Sequence, residues 1–204
     1  MVSAMPRTAL SLYGVFVLFG FCLRALVHRR QTGSLGLRLP DRSARLEWVA
    51  GVLFVFASLT VGVIAPLLQL AGLMTPVPGF DGPRTRAQGG VLFAVGFVSM
   101  LTSQLVMGAS WRIGVARGEP TTVITARPFA WVRNPIFASA VVASVGLAAL
   151  VPNAAAFAGV ALLVVAVELQ VRWVEEPYLM RQHGSAYRRY AARTGRFVPG
   201  VGRL

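Results

Sequence analysis

Five apolar runs, at residues 10–27, 48–73, 89–109, 136–151 and 154–174, constrain this chain more than any other feature. A hydrocarbon layer of about 30 Å needs about 20 consecutive apolar residues to cross it as helix. Inside lipid every backbone N–H and C=O must be satisfied within the chain, so such runs become helices. Composition agrees: hydrophobic residues make up 55 % and charged residues 13 %, whereas a soluble domain carries about 25 % charged residues. The expectation is an all-α integral membrane protein with about five transmembrane helices. It is read as a single domain over 1–204, with three N-terminal spans in 1–109. The connector, a helical hairpin and a cytoplasmic tail with an amphipathic lid helix follow in 110–204. The fourth run is short for the hydrocarbon thickness, which leaves open whether it crosses fully.

All 20 basic residues are arginine and the net charge is +13. In a membrane chain this reads as positive-inside loops meeting anionic head groups, and not as a nucleic-acid interface. The arginines alternate along the chain. The N-terminus has Arg7, and the first loop has Arg29, Arg30, Arg38, Arg42 and Arg45. Arg84 and Arg86 face Asp81 in the second loop, and Arg112, Arg117, Arg127 and Arg133 lie in the third, which breaks at Glu119-Pro120. The hairpin tip at Pro152-Asn153 has none, and the tail carries Arg181, Arg188, Arg189, Arg193, Arg196 and Arg203. This pattern predicts an outer N-terminus and a cytoplasmic tail in a multi-pass cell (inner) membrane protein. The single cysteine, Cys22, excludes an internal disulfide. The first run is long and lacks a small-residue cleavage site, which argues against a signal peptide. There is no Cys/His metal cluster, no Walker loop and no G-x-G-x-x-G.

The polar chemistry gathers at the two feet of the hairpin, which the fold must bring together. At the first foot, Asn134-Pro135 predicts a helix start with Asn as N-cap and Pro at the first helical position. Free N–H groups there, beside Arg133, suit an anion. At the second foot, Arg172 precedes Glu175 and Glu176 by three and four residues, placing them on one helical face. Glu168 lies inside the span, where an acid is costly and marks function, or pairs with Arg172. Pro66 predicts a kink and Pro177 the end of the fifth span. Residues 178–182 then begin a short surface helix. Ser185 caps another, which Gly195 stops; in it Tyr187, Tyr190 and Ala191 share a face opposite Arg188, Arg189 and Arg193. Gln104 predicts an interhelical hydrogen bond. Trp111 is an interfacial anchor or a wall of the pocket, Arg24 snorkels, and His28 meets solvent or head groups. His183 reads as a helix-end or lid contact.

Residues 125–199 resemble the isoprenylcysteine carboxyl methyltransferase family and its phospholipid methyltransferase relatives. The family order is R-H-P-x-[YF], a hydrophobic hairpin, R-x-x-E-E-x-x-L and F-G-x-x-Y-x-x-Y. Here it reads Arg133-Asn134-Pro135-Ile136-Phe137, then Arg172 to Leu179, then His183-Gly184 to Tyr190. Asn134 stands for the family histidine, His183 for a phenylalanine, and Arg127 for a glycine. The resemblance implies S-adenosyl-L-methionine as cofactor, with Trp131, Val132, Arg133, Asn134, Pro135, Phe137, Glu175, Glu176, Leu179, Tyr187 and Tyr190 around it. It implies a catalytic role for Arg172 and Glu176, and a lipid or isoprenoid-like acceptor, carboxylate or amine, met by Arg172; position adds Glu168 as a catalytic candidate and Trp111 and Gln104 as acceptor contacts. Membrane lipids are then the other partners, and no metal is needed. Two other readings stay open from sequence. An NADPH-dependent membrane reductase similar to sterol reductases shares an R-H-P-x-Y-x-G element, although paired glutamates suit a cationic cofactor better than phosphates. A non-enzymatic scaffold would use the same charges only to pair at the interface.

Overall fold

The computed structural model describes residues 4–37, 44–114 and 122–204. Arg38, Arg42, Arg117 and the Glu119-Pro120 break lie outside them. Six helices account for the described chain: α1 Ala4–Thr32, α2 Arg45–Leu70, α3 Pro83–Ser110, α4 Pro135–Leu150, α5 Ala154–His183 and α6 Ser185–Ala191. Four of them, α1, α2, α3 and α5, are long and apolar enough to cross a membrane, and α4 is the shorter apolar helix. The all-α architecture and the hairpin are as expected, and the protein is multi-pass.

The short helix is the centre of the bundle. Pro135, Ser139, Ala140, Ala143, Ser144, Gly146, Leu147, Ala148 and Leu150 of α4 are buried, which is why its sequence is apolar all round. Small residues let α3 and α4 run backbone to backbone. A Cβ on Gly96 would come within 2.4 Å of the Ala143 nitrogen, and one on Gly146 within 2.4 Å of the Phe93 nitrogen. Phe16, Phe93, Met100 and Leu147 close the core on the α1 side, and Leu163, Val167 and Val171 pack with Ala57 of α2 on the other.

At 16 residues, α4 is about 24 Å long at 1.5 Å per residue. That is short of the hydrocarbon thickness of about 30 Å. The hairpin turn is buried instead, with Val151 and Asn153 sealed. Asn153 satisfies the backbone there: its Oδ1 accepts from the Ala156 N–H (3.0 Å), capping α5, and its Nδ2 donates to the Ala65 carbonyl (2.9 Å). Val77 N–H donates to the Pro152 carbonyl (2.7 Å), so the turn-rich loop before α3 lies over it. Irregular backbone at this depth is tolerated because protein covers it.

Three long helices contain one widened turn each, at Leu18–Leu23, Thr60–Ile64 and Gln170–Glu175. Two of these end two residues before a proline, Pro66 and Pro177. Proline lacks an N–H and collides with the carbonyl four residues back. Shifting the upstream bonds to i→i+5 relieves the collision and keeps the helix going. Pro177 therefore does not end the fifth span, contrary to expectation: α5 continues through it to His183. In α1 no proline is involved. There the Gln104 side chain donates to the Gly20 carbonyl at 2.9 Å, and a side chain inserted into the ladder produces the same widening.

Candidate functional site

The two feet of the hairpin do meet, and the tail binds them. Residues 132–134, just before α4, run parallel to residues 195–196 of the tail. Val132 bridges Gly195, Arg133 N–H donates to the Gly195 carbonyl (2.8 Å), and Asn134 N–H donates to the Arg196 carbonyl (3.1 Å). Asn134 occupies the N-cap position, yet its side chain caps nothing. Its Nδ2 donates instead to the Arg196 carbonyl at 3.2 Å. Pro135 is the first helical residue, as expected.

Glu176 is the keystone. It is buried, and two guanidinium groups hold it. Arg133 donates to Oε1 from Nε (3.0 Å) and Nη2 (2.5 Å). Arg196 donates to both oxygens from Nε (3.0 Å each) and to Oε2 from Nη2 (2.8 Å). Arg133 spends its remaining donors on tail carbonyls: Ala191 (3.1 Å), Thr194 and Gly202 (2.9 Å). The Arg133 side chain is 1 % exposed, so it has no donor left for an incoming anion. Both pairs are charge-assisted, and Arg196 engages the two oxygens in a fork; the hydrogen bonds to Glu176 hold the Arg196 guanidinium further above its usual range.

Glu175 has different surroundings. It is half-buried, and Gln170 Nε2 donates to its Oε1 at 3.3 Å. Arg112, Glu47 and Glu176 are its charged neighbours. Arg172 is 52 % exposed and pairs with Glu168, itself 36 % exposed. That i,i+4 pair was one of the two readings of Glu168. Arg172 and Glu176 have different partners: Arg172 pairs with Glu168, whereas Glu176, which directly follows the widened turn Gln170–Glu175, is buried between Arg133 and Arg196.

The remaining candidates divide by place. Tyr187 is buried and Tyr190 half-buried, with rings 6.0 Å apart, and Tyr190 Oη donates to the Phe129 carbonyl at 2.7 Å. Burial raises the Tyr187 phenol well above its ordinary range and pushes Tyr190 up to about 12. Their shared face opposes exposed Arg188, Arg189 and Arg193. Helix α6 starts after Gly184 and ends at Ala191, so Ser185 is not its cap and Gly195 does not stop it. Gly195 serves close approach: a Cβ there would meet the Val198 carbonyl at 2.0 Å. Trp131 is exposed under the Arg127 guanidinium, 5.5 Å away. Val132 is buried and Leu179 half-buried. Phe137 points into the bundle, edge-on to Phe54 at 6.0 Å. His183 is the half-buried last residue of α5.

Gln104 and Trp111 join a separate buried cluster toward the C-terminal ends of α1 and α3. Gln104 makes the interhelical bond expected of it, to Gly20. Arg24 does not snorkel. It is buried, donates to the Gly108 and Gln104 carbonyls at the end of α3, and lies 4.8 Å from the Trp111 ring. A cation at a helix C-terminus is favoured there. His28 is likewise buried, edge-on to Trp111 at 5.8 Å, and not in solvent. The link to the hairpin feet is the next residue, Arg112, a charged neighbour of Glu175. Sequence reasoning missed Arg196, Thr194 and the buried Glu47. The one hint at Arg196 is its flanking by Gly195 and Phe197-Val198-Pro199, unlike the run of exposed tail arginines.

The phospholipid methyltransferase family model matches residues 85–186, from α3 through the hairpin to the start of α6. No curated protein matches the chain.

Proposed function

Because the chain belongs to the phospholipid methyltransferase family, whose members are membrane methyltransferases that use S-adenosylmethionine, we propose that it methylates a carboxylate or an amine on a lipid-like acceptor at the cytoplasmic face of the cell membrane. The observation that carries this reading is the divergence of two adjacent carboxylates. Glu176 is consumed by two arginines, whereas Glu175 has only Gln170 as hydrogen-bond donor among the described residues. The residues present fit the cofactor's chemistry: its sulfonium and ammonium are cations, and Glu175 is a half-buried carboxyl with Tyr187 among its neighbours, whose ionised form an incoming cation favours. When bound, S-adenosylmethionine supplies a methyl carbon already activated by positive sulfur.

The protein's own part is placement and exclusion of water. Glu175 holds the cationic end, and Tyr187, Tyr190 and Val132 close the apolar side. Arg172, exposed on α5 with Glu168, meets the acceptor arriving from the bilayer. A carboxylate acceptor exchanges with Glu168 on the planar guanidinium, which holds two oxygens by parallel bonds; an amine acceptor meets Glu168 itself. Alignment in a dry site accounts for much of the rate of such a displacement. Family membership sets aside the reductase and scaffold readings. The arginine-rich first loop and tail support the cytoplasmic placement. The test is transfer of labelled methyl from S-adenosylmethionine into membrane lipid. Glu175→Gln loses transfer and cofactor binding together; undiminished transfer by that variant overturns the assignment of Glu175.

A further inference from the structure

We propose that residues 194–204 form a strap that sets the spacing of the hairpin feet, with Arg196 as its positioning residue for the methyl-donor site. This rests on the function proposed above. Arg196 binds both feet at once. Its carbonyl accepts from the backbone and side chain of Asn134 at the first foot (3.1 and 3.2 Å). Its guanidinium holds both oxygens of Glu176 at the second. Its own N–H donates to the Val201 carbonyl at 2.7 Å, which folds the strap back on itself, and Leu204 N–H returns to the Ala191 carbonyl at 3.2 Å. Arg133 fastens the same strap through Thr194 and Gly202.

Two consequences follow for the site. The approach of the two feet, which sets where the adjacent Glu175 stands, is fixed by a segment beyond the residues that the family model matches, 85–186. The second concerns charge. Glu175 and Glu176 are consecutive, and two neighbouring carboxylates repel. By neutralising Glu176 from the tail side, Arg196 keeps that acid turned away and leaves Glu175 alone to face a cation. Arg196 also has Glu168 among its charged neighbours. Arg196 touches neither reactant; it acts through Glu176 and Asn134.

Arg196→Lys tests this in the purified full-length protein, because it keeps the charge and most of the volume but loses the fork. Titration with S-adenosylhomocysteine, well below the melting temperature of each protein, reads the site directly. The expected result is a roughly tenfold weaker Kd and a matching rise in donor KM, of the size seen when an orienting partner is removed. At saturating donor, kcat stays within about twofold of wild type, the pattern of lost binding without lost chemistry. Arg196→Gln should weaken the Kd further. A lowered melting temperature with unchanged Kd and KM in both variants would show a strap that only holds the fold, and would overturn the proposal. If the wild-type protein itself binds no S-adenosylhomocysteine, the methyl-donor reading fails first and takes the strap's role with it.

Discussion

Removing the Glu176 carboxylate is the perturbation with the most predictable size. Glu176→Ala takes away the acceptor of five hydrogen bonds from Arg133 and Arg196. It leaves two guanidinium groups, 1 % and 11 % exposed, facing each other without an anion. Breaking a buried ion pair by deleting one partner costs about 3–5 kcal/mol, because the remaining charge is neither solvated nor paired. For a chain of this length each kcal/mol moves the midpoint by about 2–4 °C, so the melting temperature should fall by roughly 10 °C. Tryptophan fluorescence during a thermal ramp reads this. The comparison is Glu175→Gln, one residue away, which at most weakens one bond from Gln170 and should shift the midpoint by less than about 3 °C. Were both variants to melt together with wild type, the two-arginine clamp would be absent, and the division between a structural and a cofactor-facing glutamate would go with it.

Three further outcomes are expected. S-adenosylhomocysteine should raise the melting temperature of the wild-type protein in a concentration-dependent way, since it binds only the folded state, and NADPH should leave it unchanged; the reverse pattern would contradict the cofactor. A reporter fused after Leu204 should read cytoplasmic, and an outside signal would overturn both orientation and cofactor access. Arg172→Ala should abolish turnover while cofactor Kd stays within about twofold, with Arg172→Lys rescuing little; equal loss of cofactor affinity would place Arg172 on the donor side.

Much of the fold was legible because its causes are local. Runs of apolar residues between arginines mark helices, and the Pro152-Asn153 turn marks the hairpin. The first-foot signal at Asn134-Pro135 located the start of α4 to the residue, although it misjudged what Asn134 does. The side chain found a better partner in the Arg196 carbonyl, which no local pattern announces. At the second foot the local pattern missed how the chain absorbs Pro177, through a widened turn at Gln170–Glu175 that lets the helix continue. It also could not show that Glu176 is buried between two arginines while Arg172 pairs with Glu168. Arg24 and His28 looked solvent-bound because charged residues at a span's end usually are. They are buried because the segment after α3 folds back over them, a long-range contact between residues some eighty positions apart. Arg196 was hidden for the same reason: one of several tail arginines in sequence, it becomes special only when Gly195 lets the tail fold back on Val198 and Val201 and the bend pairs with residues 132–134.

The most direct test of the central claim is a methyl-transfer assay. Membranes containing the wild-type chain, incubated with methyl-labelled S-adenosylmethionine and extracted into organic solvent, should carry label in the lipid fraction. Membranes containing folded Glu175→Gln protein should not. Absence of label from the lipid fraction with wild-type protein, across carboxylate- and amine-bearing lipids, would contradict the account.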